Sequence, residues 1–427
     1  MALKITPFKF EPFSRKQLQV LTWWLQNSPV QSKDMIMADG SVRSGKTTSM
    51  SLSYVQWSMD SFNGENFGLS GKTIGSFRRN VLAPLKRMLK ALKYNVKDHR
   101  ADNLLEISKN GRVNFYYIFG GKDERSQDLI QGITLAGMLF DEVALMPQSF
   151  VNQAIARCSV DGAKLWFNCN PAGPYHWFKT EFIDKAEQLN AVYLHFTMDD
   201  NLSLSEEIKA RYKRMFSGVF FKRYILGLWV MAAGAIYDMF SEEQHVISAD
   251  QLPKEFDKLW ITGDYGTGNA TAFLLQGRSG NKFYTVAEYY YDSRKTGRQK
   301  TDAEYSADMA RFVAANNEYL RGNRPMIIID PSAASFIVQL RKDGFSVRGA
   351  QNSVLDGIRW VASLFSEGRY YIVNTCVNTI KEKSAYIWDE KAQDRGEDKP
   401  IKQNDHCSDA ERYGLYTNRS KTAMSIY

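Results

Sequence analysis

The stretch Met35-Ile36-Met37-Ala38-Asp39-Gly40-Ser41-Val42-Arg43-Ser44-Gly45-Lys46-Thr47 decides the reading of the first half of the chain. From Gly40 to Thr47 it matches the phosphate-loop spacing G-x-x-x-x-G-K-[ST], and its flanks have the required character. Met35 to Ala38 is a short apolar run that predicts a buried strand, while Thr47 to Met59 contains neither Pro nor Gly and predicts a helix. A loop between such a strand and helix presents backbone N–H groups and the helix N-terminus to the β- and γ-phosphates of a nucleotide, here expected to be ATP. Gly45 permits the close backbone approach, Lys46 neutralises phosphate charge and the Thr47 hydroxyl is placed for Mg²⁺. Gly40, Ser41, Val42, Arg43 and Ser44 complete the cradle.

Upstream, Phe13-Ser14-Arg15-Lys16-Gln17 leads into an amphipathic helical pattern, and Gln17 offers the donor and acceptor that read an adenine edge. A surface glutamine at a helix start is the plainer alternative. Downstream, Phe67 to Ile74 predicts a second strand, and Pro84 opens a helix with Leu85, Met88, Leu89 and Leu92 on its apolar face. Lys86, Lys90, Lys93 and Lys97 fall at helical spacing on the other side, a stripe suited to a DNA backbone or simply to solvent. Met138-Leu139-Phe140-Asp141-Glu142 is an apolar strand ending in two carboxylates. In a parallel sheet these arrive beside the phosphate loop, Asp141 to hold Mg²⁺ through water and Glu142 to orient and activate the attacking water. Lys164 to Pro171 reads as a further strand ending in polar amides, at whose tip Asn170 either senses the γ-phosphate or, ahead of Pro171, starts a turn. Asn190 to Phe196 and Ser205 to Phe216 predict one more strand and helix, and the apolar run Tyr224 to Tyr237 reads as core.

A chain of 427 residues is long for one domain and comfortable for two. With 44% hydrophobic and 24% charged residues it has ample core, and its formal charge of +8 leans towards a polyanionic partner. Cys158, Cys169, Cys376 and Cys407 are scattered without a C-x-x-C pair, the pattern of a reducing compartment. The opening MALKITPFKF lacks an apolar h-region, so no secretion signal is expected, and no membrane span is expected either. The organisation predicted is α/β: a P-loop ATPase domain over 1–234 with a mostly parallel sheet flanked by helices, a connection over 235–253, a second domain over 254–417 and a loose tail over 418–427.

In the second half, Leu259 to Gly266 is a strand ending in Asp264, with Thr271 to Leu275 and Phe283 to Tyr291 as hairpin partners. A helix from about Ala303 to Tyr319 leads to the strand Pro325 to Asp330. Asn404-Asp405-His406-x-x-Asp409 opens a last helix, expected to run to Gly414, with Asp405 and Asp409 on one face. Strand-Asp, strand-Asp, helix-Asp is how a ribonuclease-H-like fold gathers carboxylates around two Mg²⁺ or Mn²⁺ ions for phosphodiester cleavage. Singly each acid has a structural explanation, Asp330 in a turn and Asp405 as a helix N-cap. Arg294, Lys295, Arg298 and Lys300 crowd a polar segment suited to DNA phosphates or to solvent.

Taken in order, Phe13-Ser14-x-Lys16-Gln17, the phosphate loop, Phe140-Asp141-Glu142, Asn168-x-Asn170-Pro171, Gly227-x-Trp229, Gly263-Asp264-Tyr265-Gly266, Ile329-Asp330 and Asn404-Asp405-His406-x-x-Asp409-Ala410-x-Arg412-Tyr413 give a resemblance. The chain resembles the large terminase subunits of tailed bacteriophages, most closely the PBSX-like group, over almost its whole length. The resemblance implies an ATPase that drives double-stranded DNA into a procapsid and a metal nuclease that cuts concatemeric DNA at the start and end of packaging. It implies that Arg43 meets the γ-phosphate, that Asp264, Asp330 and Asp409 bind metal, and that His406 stands near the nuclease centre, with Asp405 a further candidate ligand. A trans-acting arginine finger is also implied, and Arg78, Arg79 and Arg125 remain open for it. The partners implied are a portal protein, a small terminase subunit and further copies in a ring on the procapsid, the isolated subunit often being monomeric. The setting implied is the host cell cytoplasm and, transiently, the portal vertex. An ATP-driven translocase-nuclease of repair or restriction is the alternative, which would favour helicase motifs and an added DNA-recognition domain. A nucleotide-switched scaffold without turnover is disfavoured by Glu142.

Overall fold

The structure is a computed structural model that describes residues 8–266, 269–403 and 405–419, the side chains of Gln127 and Leu129 apart. Asn404 of the C-terminal motif and residues 420–427 of the expected tail lie outside the described residues. The chain forms two compact units. The first comprises the residues up to Tyr212 with Phe221–Met231 and Asp394–Glu397, and the second Lys213–Phe220, Ala232–Gln393 and the residues from Asp398 onward.

In the first unit, β1 (Met35–Gly40), β2 (Asn66–Gly71), β3 (Asn95–His99), β4 (Leu104–Lys109), β5 (Arg112–Gly120), β6 (Gly137–Phe140), β7 (Lys164–Asn168) and β8 (Ala191–Phe196) make one sheet. Its order is β3-β4-β5-β2-β6-β7-β1-β8. The six strands from β5 to β8 run parallel, and β3 and β4 extend β5 antiparallel. Every residue of β1 is buried, which is why a strand covered on both faces reads as a continuous apolar run. The helix Lys46–Ser61 covers it through Tyr54 and Trp57, which meet Trp166 of β7 edge-on and tilted at 5.2 and 4.7 Å.

Two expectations fail here. The helix Ala83–Ala91 stops early because Lys93 takes a left-handed φ of 63°, so Lys97 falls on β3 and the basic stripe does not form. Lys97 pairs instead with Glu106 at 2.7 Å, and Lys86 with Asp98 at 2.6 Å. The run Tyr224 to Tyr237 is not uniform core either. Leu226, Leu228 and Met231 are exposed, and burial resumes at Ala232, Ile236 and Tyr237.

The second unit holds β9 (Val246–Ile247), β10 (Lys258–Asp264), β11 (Ala270–Ser279), β12 (Lys282–Asp292), β13 (Met326–Ile329), β14 (Val347–Gly349) and β15 (Tyr370–Val373). Their order is β14-β13-β10-β11-β12-β15-β9. An antiparallel meander β10-β11-β12 with parallel β13 and β14 beside β10 is the ribonuclease-H-like arrangement. Because β10 and β13 are parallel neighbours, with Gly263 opposite Ile329, Asp264 and Asp330 leave the sheet at the same end. The helix His406–Thr417 crosses this sheet and continues through Gly414 instead of stopping there. A Cβ at Gly414 would lie 1.8 Å from Gln276 Oε1 and 2.6 Å from Trp260 Nε1, so the glycine serves close packing on β10 and β11. The long helix expected after Ala303 divides at Asn316 into Asp302–Ala315 and Asn317–Leu320. Among the described residues no helix is long and apolar enough to cross a membrane.

Candidate active sites

The phosphate loop is built by two backbone conformations that few residues adopt. Gly40 has φ 126°, and a Cβ there would stand 1.9 Å from the Phe196 carbonyl oxygen. Gly45, at φ 85°, caps the helix Lys46–Ser61. Lys46 is buried, and its ammonium donates to the carbonyls of Gly40 (3.1 Å) and Ser41 (2.7 Å), to Ser44 Oγ (3.2 Å) and to Asn170 Oδ1 (3.2 Å). Burial pushes its pKa down to about 8 against the pull of Cys169, Asp39, Asp141 and Glu142. Thr47 Oγ1 donates to Asp141 Oδ1 at 3.0 Å, and burial raises the Asp141 carboxyl above its ordinary range. This hydroxyl and carboxylate are the hard oxygen donors that suit Mg²⁺. Glu142 follows directly, held at φ 58°.

Gln17 is not a surface residue. It is buried, its Oε1 accepts from the Ser14 N–H at 2.9 Å, and its Nε2 lies over the loop, only 2.2 Å from where a Cβ of Gly45 would be. Arg43, at φ 58°, donates from Nε to the Tyr212 hydroxyl at 2.7 Å, and its carbonyl accepts from Asn201 Nδ2 at 2.7 Å. Of the arginines open for the trans-acting role, Arg78 is engaged with Asp98 at 2.9 Å, and Arg79 and Arg125 are exposed.

Asp39 carries no motif of its own in the sequence. It is buried just before Gly40 and accepts from Tyr193 Oη (2.9 Å), His195 Nδ1 (2.9 Å) and Trp229 Nε1 (2.5 Å). Gly227 packs on the same loop, since a Cβ there would be 3.0 Å from the Ser41 nitrogen, and Val42 donates its N–H to the Tyr224 carbonyl at 2.8 Å. An aspartate inside an apolar strand and the Gly227-x-Trp229 pair are the signals that could have found it.

In the second unit an open pocket of about 430 Å³ is lined by Asp264, Asp292, Arg294, Asp405, His406 and Asp409 among others. Asp264 Oδ2 pairs with His406 Nδ1 at 2.9 Å. Asp409 Oδ1 accepts from Arg412 Nη2 at 2.8 Å, and its Oδ2 accepts from Lys402 Nζ at 2.7 Å. Burial pulls the Asp409 carboxyl upward, yet Arg412 and Lys402 outweigh it and hold it below the usual range, whereas burial leaves Asp264 raised. Asp330 does not line the pocket; it accepts from the Ser332 N–H at 2.8 Å and Asn352 Nδ2 at 3.0 Å. Asp405 stands at the helix N-cap but makes no capping bond, and its buried Oδ2 lies 3.1 Å from Lys402 Nζ.

Among the described residues no three His, Cys, Asp or Glu side chains are set closely enough to hold one ion as they stand. The donors themselves fit a hard divalent cation: carboxylate oxygens of Asp264, Asp405 and Asp409 facing one pocket, Asp264 turned towards His406 and the other two towards Lys402. Of the four basic residues, Arg294 lines the pocket, Lys295 is exposed, and Arg298 pairs with Glu304. Lys300 is engaged internally, 2.6 Å from Asp308 and 3.8 Å over the Tyr291 ring. Lys402 and Asp292 belong to no motif, and nothing in their local sequence marks them.

A phosphate-loop unit and a ribonuclease-H-like unit in one chain define an ATPase joined to a nuclease. Residues 37–244 match the family model described as terminase large subunit, T4likevirus-type, N-terminal. The large terminase of a thermophilic bacteriophage is 59% identical and covers 96% of this chain and 99% of its own, with a TM-score of 0.90. The structure of that protein in complex with ATP-gamma-S covers 95% of this chain and 99% of its own at 57% identity and a TM-score of 0.87. The terminase large subunit of Escherichia phage T5 is 26% identical over 296 residues, which span 66% of this chain and 65% of that protein. The chain belongs to the bacteriophage large terminase subunits, the family that packages phage DNA with an ATPase and a nuclease.

Proposed function

We propose that this chain is the subunit that hydrolyses ATP in its first unit to drive double-stranded DNA into a procapsid and cuts concatemeric DNA in its second. The observation that carries the reading is the preformed loop in which Lys46, Thr47, Asp141 and Asn170 already meet. Support for nucleotide binding comes from the thermophilic phage protein, solved in complex with ADP and with ATP-gamma-S. When bound, Mg²⁺ at Thr47 and Asp141, and Mg²⁺ or Mn²⁺ at Asp264, Asp330, Asp409 and Asp405, would neutralise phosphate charge and lower the pKa of water. Lys46 holds the phosphates, Glu142 takes the proton of the attacking water, and Arg43, leaving Tyr212, meets the γ-phosphate. In the second unit His406 orients Asp264, and Arg294 at the pocket wall receives a DNA phosphate.

The partners proposed are a portal protein, a small terminase subunit and further copies in a ring at the portal vertex in the host cytoplasm. Purified procapsids, ATP and DNA test this directly. Wild type should yield nuclease-protected DNA and Lys46→Ala none, while the same variant still cuts plasmid with Mn²⁺. Protection by the wild type that does not depend on ATP would overturn the motor assignment.

A further inference from the structure

Both oxygens of Asp409 are occupied by cations of the chain itself, and the two cations differ in kind. Arg412 is 1% exposed, and besides Oδ1 it donates to the carbonyls of Asn352 (2.9 Å) and Ser353 (3.3 Å). Removing it would leave the buried Oδ1 of Asp409 without its donor, with only Lys402 still on the carboxylate. Lys402 lies outside any helix or strand with its side chain 60% exposed, and its ammonium bridges Asp409 Oδ2 at 2.7 Å and Asp405 Oδ2 at 3.1 Å. A lysine side chain this exposed is held less firmly than the buried guanidinium of Arg412. Asp264, Asp405 and Asp409 face one pocket and repel one another, so the fold without metal needs positive charge there.

We propose that Lys402 is the built-in counter-ion of the nuclease carboxylates and must yield Asp405 and Asp409 to a divalent cation before the centre can work. The inference rests on the nuclease reading above. A lysine supplies one charge on a flexible stem, enough to relieve repulsion, but it cannot acidify water as a divalent ion does. Lys402 therefore sets the metal concentration at which the centre fills. It acts through the ions, as a positioning residue, and holds the nuclease latent where free metal is scarce.

The test is Mn²⁺ binding to the nucleotide-free full chain, read by electron paramagnetic resonance of the unbound ion. Wild type, Lys402→Met and Lys402→Arg are compared, with Asp264→Asn marking the share of this centre. Lys402→Met should bind Mn²⁺ about tenfold more tightly, since metal no longer has to break the two ion pairs between this exposed side chain and the buried Asp405 and Asp409. It should also melt lower than wild type without metal and recover with it. Lys402→Arg, which keeps the charge, should stay within about threefold of wild type. Should Lys402→Met bind no tighter than wild type, the counter-ion role is overturned; Lys402→Gln decides in the same way if the Met variant fails to fold. An Asp264→Asn chain that binds as much Mn²⁺ as wild type would instead sink the nuclease reading, a separate result.

Discussion

The two centres use the same ingredients, a lysine among carboxylates, and hold them in opposite ways. Lys46 is 6% exposed and fixed by two backbone carbonyls, Ser44 and Asn170, whereas the side chain of Lys402 is 60% exposed and touches carboxylates that ions are expected to claim. The loop is shaped by glycine conformations and backbone bonds, which need no ligand to persist. The acid cluster is shaped by ion pairs, which a ligand must rearrange. A phosphate-binding loop presents donors, and donors tolerate one another; a metal centre presents charges of one sign, and these do not. The difference between a preformed site and a latent one follows from that sign.

The largest expected effects test whether the two chemistries are independent. Glu142→Gln should keep ATP binding and lose hydrolysis by about 10²-fold or more, the usual contribution of a positioned base. Lys46→Ala should lose both. Asp264→Asn should abolish Mn²⁺-dependent cutting and leave ATP turnover near wild type, since each unit has its own sheet and core. A Glu142→Gln enzyme that hydrolyses ATP at the wild-type rate, or an Asp264→Asn enzyme that cuts DNA, would break the assignment at that centre.

A charge pair buried beneath the nuclease sheet gives the next effect. Lys383 and Glu411 meet at 2.7 Å with both side chains wholly buried. Breaking such a pair leaves one charge without its partner, so Lys383→Met should lower the stability of the second unit by about 3–5 kcal/mol in a denaturant titration. The exposed pair Lys97 with Glu106 should cost far less when Lys97 is replaced by Met, because water screens it. Equal losses at the two sites would mean that burial is not what separates them.

Smaller again is the effect on DNA binding. Arg294 and Lys295 stand at or near the pocket, while Lys300 is engaged by Asp308 and Tyr291. Neutralising Arg294 and Lys295 should flatten the salt dependence of DNA binding by about 0.9 in log-log slope for each phosphate no longer held. Lys300→Gln should leave the slope alone and lower stability. A slope that responds to Lys300 and not to Arg294 would reverse this sorting.

What can be read from sequence is local. The phosphate loop, Asp141-Glu142 and the strands ending in Asp264 and Asp330 each lie within a dozen residues whose spacing fixes their geometry. What cannot be read is set by contacts between distant segments. Asp39 gains its meaning from Tyr193, His195 and Trp229, more than 150 residues away. Lys402 is hidden for another reason: it stands only three and seven residues before Asp405 and Asp409, but ahead of the helix, in a stretch without regular spacing to place it on them. The stripe from Lys86 to Lys97 fails for a smaller reason: Lys93 turns left-handed, and helical spacing carried past that point compares residues on different elements. The apolar run after Tyr224 misleads because hydrophobicity without periodicity does not say which side of a segment faces water.

A titration sharpens the contrast between the lysines through pH. With its pKa pushed down to about 8, Lys46 is charged at pH 7 and mostly neutral at pH 9 in the free protein. Bound phosphates favour the ammonium and raise that pKa, so binding above pH 8 must take up a proton. If the bound pKa returns above the working range, nucleotide affinity should fall by about tenfold between pH 7 and pH 9, with uptake of about 0.9 proton at the higher pH. Calorimetry in buffers of different ionisation enthalpy reads the uptake, and fluorescent nucleotide binding reads the affinity. Lys46→Arg is the control, because a guanidinium stays charged across this range: its affinity should be lower throughout and flat with pH. A wild-type affinity that is equally flat would mean that Lys46 keeps its proton despite burial, and that Asp39, Asp141 and Glu142 outweigh the loss of water around it.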